Sequence, residues 1–153
     1  MKNKINIKIA GAAGAGVKST GQILSKSLTR LGFSTFSYRE YPSLIRGGHT
    51  TYQTFAGTNE KVYSQKKELD ILLVFEKKSY QKHLEELNKD SLVIFCNSSF
   101  ELKKEKGRLV GIPLVDLAKE AGSAIMANSV ALGALFELLN ITDQLALEQT
   151  LKQ

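Results

Sequence analysis

The pattern of apolar and polar residues along the chain predicts alternating strands and helices. An apolar strand over 5–10 leads into a turn of small residues, and apolar positions at helical spacing follow over 17–31. Nearly continuous apolar runs at 69–75 and 91–96 are typical of strands covered on both faces. The same reasoning predicts further strands over 33–38, 51–56 and 109–112, and helices over 79–87, 114–121, 128–139 and from Thr142 to the last residue.

This alternation indicates an α/β fold with a single Rossmann-like open sheet, mostly parallel, and helices on both faces. A turn signal at 57–60, followed by an extended stretch at 61–64, predicts a hairpin near residues 51–64. Ligands of open α/β sheets bind beyond the carboxyl ends of the strands. We therefore expect the turn after the first strand and the loop after the second strand to lie at the ligand-binding edge.

The turn after the first strand carries the clearest chemical signal. Its glycines can take conformations that other residues avoid, and they leave room for a ligand to approach the backbone. The first amides of the following helix have no partners inside the helix and favour an anion such as phosphate. The candidate cofactor-binding residues here are Gly11, Gly14, Ala15, Gly16 and Val17. The alternative is that the glycines only shape a tight turn.

Two known phosphate-binding patterns nearly match this turn, and both fail in detail. A P-loop needs adjacent Gly and Lys, but Val17 separates Gly16 from Lys18. A dinucleotide fingerprint needs a third glycine where this chain has Ser19. The turn is therefore predicted to bind an anion without matching either pattern completely.

The loop at 40–50 is the second candidate binding segment. Arg46 offers several charged hydrogen-bond donors, and Gly47 and Gly48 can aim successive amides at an anion. His49 can donate or accept a hydrogen bond. We interpret this segment as a binding or docking loop, with an ordinary surface loop as the alternative.

Composition narrows the function further. The 153 residues are 42% hydrophobic and 24% charged, which is typical of one globular domain over 1–153. The net charge of +6 comes from lysine clusters interspersed with glutamates and lacks interleaved aromatic residues, so no nucleic-acid partner is expected. No apolar stretch reaches membrane-spanning length, and no signal peptide is recognisable, so we expect a cytoplasmic protein with no membrane partner.

The sequence contains no recognisable catalytic or metal-binding set. The single cysteine, Cys96, lies in an apolar run and is expected to be a buried core thiol. His83 lies in a polar helical segment and is expected to be exposed. We therefore predict no catalytic residues and no metal ligands in this chain.

Four segments in a fixed order resemble a known family. These segments are 11–17, 38–49 with Glu-Tyr-Pro-Ser followed by Arg-Gly-Gly-His, 69–73, and 127–134 with Ala-Asn-Ser-Val-Ala-Leu-Gly-Ala. Together they resemble the gamma subunit or gamma domain of the 2-oxoacid:ferredoxin oxidoreductases, which include the pyruvate, 2-oxoglutarate and indolepyruvate enzymes. The resemblance covers nearly the whole chain.

The resemblance implies a non-catalytic component of a complex that oxidatively decarboxylates a 2-oxoacid with coenzyme A and reduces ferredoxin. Thiamine diphosphate, magnesium and iron–sulfur clusters are then expected in the alpha and beta partner subunits, and ferredoxin is met through the complex. For this chain coenzyme A is a candidate ligand, and a homodimer is a candidate state when isolated. Coenzyme access and assembly are the implied roles, and the candidate contacts of the second loop are Arg46, Gly47, Gly48 and His49.

The chain departs from the family pattern in two respects. Family members often carry Gly-Gly-Gln-Gly in the first turn, where this chain has Ala13-Gly14-Ala15-Gly16. The family domain usually runs further, so the expectation is a chain truncated at its C-terminus or a gamma-like domain alone. The alternative function is a stand-alone nucleotide-binding Rossmann-like module.

Overall fold

A computed structural model describes residues 3–41, 48–58, 60–64 and 66–141. Its six strands are β1 (Lys4–Ala12), β2 (Ser34–Glu40), β3 (His49–Gly57), β4 (Ile71–Val74), β5 (Leu92–Cys96) and β6 (Arg108–Ile112). Its four α-helices are α1 (Val17–Arg30), α2 (Lys77–Lys82), α3 (Leu114–Glu120) and α4 (Ala127–Leu138), and short 3₁₀ segments occupy Leu84–Glu86 and Ala124–Met126. The helix expected from Thr142 lies outside the described residues.

The strands form one sheet in the order β2-β3-β1-β4-β5-β6. β1, β4, β5 and β6 run parallel to one another, and β3 runs antiparallel to its two neighbours β1 and β2. The predicted fold class, a single mostly parallel open sheet with helices on both faces, is confirmed.

The hairpin predicted near residues 51–64 does not form as expected. Residues 61–64 are not a strand, and β3 pairs instead with β2 along 34–40. β1 covers one edge of β3 and β2 covers the other, each over seven or more residues. No free edge of β3 is therefore left for a returning strand.

Each face of the sheet has its own apolar core. On one face, Ile5, Ile7 and Ile9 of β1 pack with residues of α1 and α4, including Leu24 and Leu135. On the other face lie Ala10, Leu69, Leu72, Val74, Tyr80, Leu87, Val93 and Phe95. Burial on both faces explains the continuous apolar runs of β4 and β5. Cys96 is buried in the first core, as expected.

The second face of β1 is polar towards its start. Asn6 and Lys8 are both buried there, because residues of a strand alternate between its two faces. The Asn6 amide donates 2.7 Å hydrogen bonds to the carbonyls of Lys66 and Glu68, and Gln53 donates to the Asn6 Oδ1 at 3.0 Å. These bonds attach the segment around 66–68 to the sheet. Within the described residues, no helix is long and apolar enough to cross a membrane.

We expect one glycine of α1 to be required for packing and one glycine of α4 to be dispensable. A Cβ at Gly21 would lie 2.2 Å from Cγ of Tyr52 on β3, whereas a Cβ at Gly133 would meet nothing within 4 Å. Gly21→Ala should therefore destabilise the chain by about 1–3 kcal/mol through overpacking. Gly133→Ala should stabilise it by about 0.5–1 kcal/mol, because alanine loses less backbone entropy in a helix.

Urea unfolding of both variants, followed by circular dichroism, provides the measurement. The two variants carry the same substitution in helix interiors and serve as controls for each other. Equal effects of the two substitutions would contradict the close approach of α1 to β3.

Candidate functional site

The glycine turn and the start of β3 meet at one edge of the sheet. Ala12, the last residue of β1, is paired with His49, the first residue of β3. One residue further, the Ala13 amide donates a 2.9 Å hydrogen bond to the Gly48 carbonyl. The prediction that the two candidate segments share an edge is therefore confirmed for the described part of the second segment. Arg46 and Gly47 lie outside the described residues.

An open groove of about 540 Å³ follows the glycine turn. It is lined by Ala13, Gly14, Gly16, Val17, Lys18, Ser19, Gln22, Arg39, Tyr41 and Thr50. Lys18 comes from the first turn of α1 and Arg39 from the end of β2, so two cations share one groove. The Arg39 guanidinium carbon lies 5.0 Å from the centre of the Tyr41 ring, within cation–π distance.

The backbone of the turn requires glycine at two positions. Gly14 has φ 94° and Gly16 has φ 80°, values that side-chain-bearing residues rarely adopt. A Cβ at Gly16 would also lie 2.5 Å from the Asn128 amide nitrogen, whereas a Cβ at Gly14 would meet nothing. α1 begins after Gly16 without a side-chain cap, so the partial positive charge of its first turn lies beside the groove.

The other candidate residues of the turn have different surroundings. A Cβ at Gly11 would lie 3.1 Å from Cβ of Phe75 and 3.2 Å from a methyl of Val17, so this glycine permits close packing inside the sheet edge. The amide of Ala15 donates to the Ala12 carbonyl at 3.1 Å, within the turn itself. Gly14, Gly16 and Val17 are the candidates that line the groove.

The His49 side chain lies on the opposite face of the sheet from the groove. β3 alternates, so Thr50 lines the groove while the neighbouring imidazole of His49 contacts α2 and the segment after it. His49 Nε2 lies 2.9 Å from His83 Nε2, and His49 Nδ1 lies 3.3 Å from the Ser79 hydroxyl. Its main chain is at the edge, but its side chain belongs to another cluster.

That cluster continues to a buried ion pair. His83 Nδ1 lies 2.6 Å from a carboxylate oxygen of Glu86, and the other oxygen pairs with the ammonium of Lys8. His83 is 6% exposed, so the expectation of an exposed histidine is wrong. The helix predicted over 79–87 is too long, because α2 ends at Lys82. The 3₁₀ turn that follows directs His83 inward.

Two groups of this cluster have shifted pKa values. Burial, together with the positive charges of His83 and Lys82, lowers the pKa of His49, and Glu76 opposes this shift. Burial tends to raise the pKa of Glu86, but hydrogen bonds from His83 and Lys8 outweigh it, so the pKa is lowered. The cluster therefore favours a neutral His49 and an ionised Glu86.

Comparisons with known proteins identify the family of this chain. The family model described as pyruvate ferredoxin/flavodoxin oxidoreductase matches residues 6–153. The chain belongs to this oxidoreductase family. The family assignment and the gamma-subunit interpretation of the sequence are confirmed, and they are favoured over a stand-alone nucleotide-binding module.

The similar proteins are subunits of 2-oxoacid oxidoreductases. The KorC subunit of 2-oxoglutarate synthase from Archaeoglobus fulgidus is 27% identical over 92% of this chain and 74% of its own length. The VorA subunit of ketoisovalerate oxidoreductase from Methanothermobacter marburgensis is 29% identical over 88% of this chain but only 28% of its own length. This chain therefore corresponds to most of one relative and about a quarter of the other, and it is a component of an oxidoreductase complex.

Solved structures agree with this assignment. A 2-oxoglutarate:ferredoxin oxidoreductase from Magnetococcus marinus, with 2-oxoglutarate, coenzyme A and succinyl-CoA bound, matches with a TM-score of 0.87 and 30% identity. The match covers 99% of this chain and 27% of that one. The PORC subunit of pyruvate oxidoreductase from Thermotoga maritima shares the fold, with a TM-score of 0.78 at 21% identity over 99% of this chain and 85% of that one.

Two groove residues of this oxidoreductase gamma subunit, Lys18 and Arg39, are not identified as binding residues by any sequence motif. Lys18 is out of register for a P-loop, and Arg39 lies within the 38–49 segment. The sequence indicates for Tyr41 either stacking on a ligand or, more commonly for tyrosine, core or interface packing. Both Arg39 and Tyr41 are at the carboxyl end of β2, where ligand-binding side chains are expected. That position, rather than any motif, was the available signal.

The stability of the gamma subunit should fall as the pH is lowered through the histidine range. Because the pKa of His49 in the folded chain is below its ordinary value of 6.5, the unfolded chain takes up a proton first. The contribution of His49 to the free energy of unfolding is therefore fully present above about pH 6.5, and it is lost between that pH and the lower pKa of the folded chain. Glu86, whose pKa is also lowered, adds a second loss below its ordinary 4.5.

Melting temperatures measured from about pH 8 to about pH 4 provide the check. His49→Gln should flatten the upper part of this profile, although it also lowers the stability at every pH. A wild-type melting temperature that rises on acidification through the histidine range would show that His49 is not held in its neutral form.

Proposed function

We propose that this chain is the coenzyme-positioning component of a 2-oxoacid:ferredoxin oxidoreductase, and that its groove binds the phosphate-bearing nucleotide end of coenzyme A. One observation carries this proposal: the glycine turn, Lys18 and Arg39 converge on a single open groove that also presents the Tyr41 ring. The role is to hold and orient the coenzyme, not to react with it.

The residues of the groove fit the chemistry of this ligand. Coenzyme A carries several phosphate oxygens and an adenine ring. Helix-terminal amides and cationic side chains are the donors that phosphates prefer in proteins, and a Tyr ring offers a stacking surface for a base. The empty space beside Gly14 allows a phosphate to approach the backbone closely. A groove of about 540 Å³ is within the range of small-molecule sites.

The comparisons support this ligand over others. The Magnetococcus marinus oxidoreductase, which has a region matching 99% of this chain, was solved with coenzyme A and succinyl-CoA bound. Ligands of that protein are transferred to this chain only as part of the proposal. The groove residues of this chain do not determine which 2-oxoacid is the substrate.

The reaction itself is assigned to partner subunits. Thiamine diphosphate, magnesium and iron–sulfur clusters in alpha and beta subunits would supply decarboxylation and electron transfer to ferredoxin. Within this proposal Lys18 and Arg39 neutralise phosphate charge, Tyr41 orients the base, and the turn amides anchor the diphosphate. The cytoplasmic location and the homodimer of the isolated chain stay predictions.

A surface beside the groove is suited to assembly with those partners. On the other side of the glycine turn, Ile125 is 89% exposed and Met126 is 45% exposed. Together with Phe75 and Asn128, Ile125 lines a hollow that shares Gly14 and Gly16 with the groove. Exposed apolar side chains at such a position favour protein contact, and we propose that the alpha or beta subunit covers them.

The proposed coenzyme site can be tested by removing each groove cation. Arg39→Gln and Lys18→Gln should each weaken coenzyme A binding by about 1–2 kcal/mol, roughly fivefold to thirtyfold, because each loses a charge-assisted hydrogen bond. Isothermal titration calorimetry on the assembled complex and on the full chain provides the measurement. Wild-type binding should also weaken as salt is raised.

Lys26→Gln is the matched control. Lys26 is exposed on the same helix as Lys18, about 12 Å further along, and is not part of the groove. It should bind coenzyme A like the wild type. Unchanged affinity in both the Arg39 and the Lys18 variants would rule out this groove as the coenzyme site.

A further inference from the structure

A chain of polar side chains crosses the face of the sheet opposite the groove. It runs from Glu76, just after β4, through Ser79, His49 and His83 to Glu86, and ends at Lys8 in the middle of β1. Lys8 is 5% exposed and Ser79 is fully buried. Burying charged and polar groups of this kind has a desolvation cost, so the cluster is unlike an ordinary apolar core.

The hydrogen-bond chemistry of the cluster has a direction. The ionised carboxylate of Glu86 only accepts hydrogen bonds, so His83 must carry a hydrogen on Nδ1. When each ring carries a single hydrogen, His83 Nε2 is the acceptor of the 2.9 Å contact and His49 Nε2 is its donor. His49 Nδ1 is then left as an acceptor 3.3 Å from the Ser79 hydroxyl, whose one hydrogen is shared between this nitrogen and the Glu76 carboxylate at 3.2 Å. Glu86 thus determines the tautomer of both rings.

The cluster is joined to the groove through the main chain of β3. His49 is paired with Ala12, its neighbour Gly48 accepts the Ala13 amide, and its other neighbour Thr50 lines the groove. A change in the position of the His49 ring would move these three contacts together. The second-face cluster and the glycine turn are therefore mechanically connected.

We propose that Glu86 and His83 are positioning residues for the groove: they hold His49 in one tautomer and one orientation, and thereby hold the start of β3 against the glycine turn. This inference rests on the coenzyme role of the groove proposed above. None of the side chains of this cluster lines the groove.

The charges around His49 limit how many protons the cluster can hold. His83 lies after α2, and Lys82 on α2 adds a positive charge, while Glu76 before α2 has an oxygen 3.7 Å from His49 Nδ1 and Glu86 binds His83. Two imidazolium rings cannot face each other across a 2.9 Å contact, since each would direct a hydrogen at the other. A second proton therefore has to break the pair.

Nuclear magnetic resonance of the histidine rings tests the proposal directly. The chain has two histidines, so ¹⁵N-histidine labelling of the full chain yields four ring nitrogens, which His83→Gln and His49→Gln assign. Near pH 8 we expect hydrogen on Nε2 of His49 and on Nδ1 of His83. Glu86→Gln should replace these single forms with tautomer mixtures, because a neutral amide can either donate or accept.

The same variant should loosen the glycine turn. In Glu86→Gln the Ala13 amide should exchange with solvent faster, and coenzyme A affinity should fall about twofold to thirtyfold, the range for side chains coupled to a site through a packed network. Glu85→Gln is the matched control, because Glu85 is an exposed neighbour in the same 3₁₀ segment. It should leave tautomers, exchange and affinity unchanged. If Glu86→Gln does not fold, His83→Asn keeps the donor to Glu86, removes the contact with His49 and takes its place.

The readouts separate this inference from the proposed function. If the wild type does not bind coenzyme A, the proposed function fails, and Ala13 exchange still decides whether Glu86 positions the turn. Fixed tautomers and unchanged Ala13 exchange in Glu86→Gln would overturn the positioning role. Added Zn²⁺ that binds the wild type through both Nε2 atoms would also overturn it, because the pair would then be a metal site.

Discussion

The site depends on one local constraint, the contact between the glycine turn and the start of β3. The Ala13–Gly48 hydrogen bond and the Ala12–His49 pairing hold the turn at the end of β1 in place. With Gly14 and Gly16 at positive φ, the turn then leads into α1, whose first turn lines the groove. That contact keeps the first turn of α1, with Lys18, beside the groove that Arg39 also lines.

The central part of the fold could be predicted from the sequence because its signals are local. β4 and β5 are apolar throughout, and the spacing of apolar residues in α1 is helical, so each element is readable without knowing its neighbours. The position of β3 between β1 and β2 depends on pairing between segments that are not adjacent in the sequence. Local turn residues at 57–60 suggested a returning strand, but they carry no information about which strand edges are already taken.

The candidate site, like the fold, could be predicted only in part from the sequence. Backbone features such as the glycine turn are visible in sequence, since only glycine suits those φ values. The groove cations and the histidine pair are not visible in the sequence. Lys18 and Arg39 line the same groove, and His49 contacts His83, only because of the order of the strands in the sheet. Lys8 gives a weak clue, because a lysine between two isoleucines of a buried strand implies a partner for its charge.

The two faces of the sheet therefore have different physical roles. One face is a conventional apolar core of closely packed side chains, in which a large-to-small substitution destabilises the fold by leaving a cavity. The other face carries, beside its own apolar core, the polar residues Asn6 and Lys8 and the histidine pair, and burying such groups contributes little to stability. What a polar chain adds is direction, because a hydrogen bond constrains the orientation of the groups that it joins and an apolar contact does not. In the proposed arrangement, such a network would give the glycine turn, which is built of small residues, a rigid neighbour.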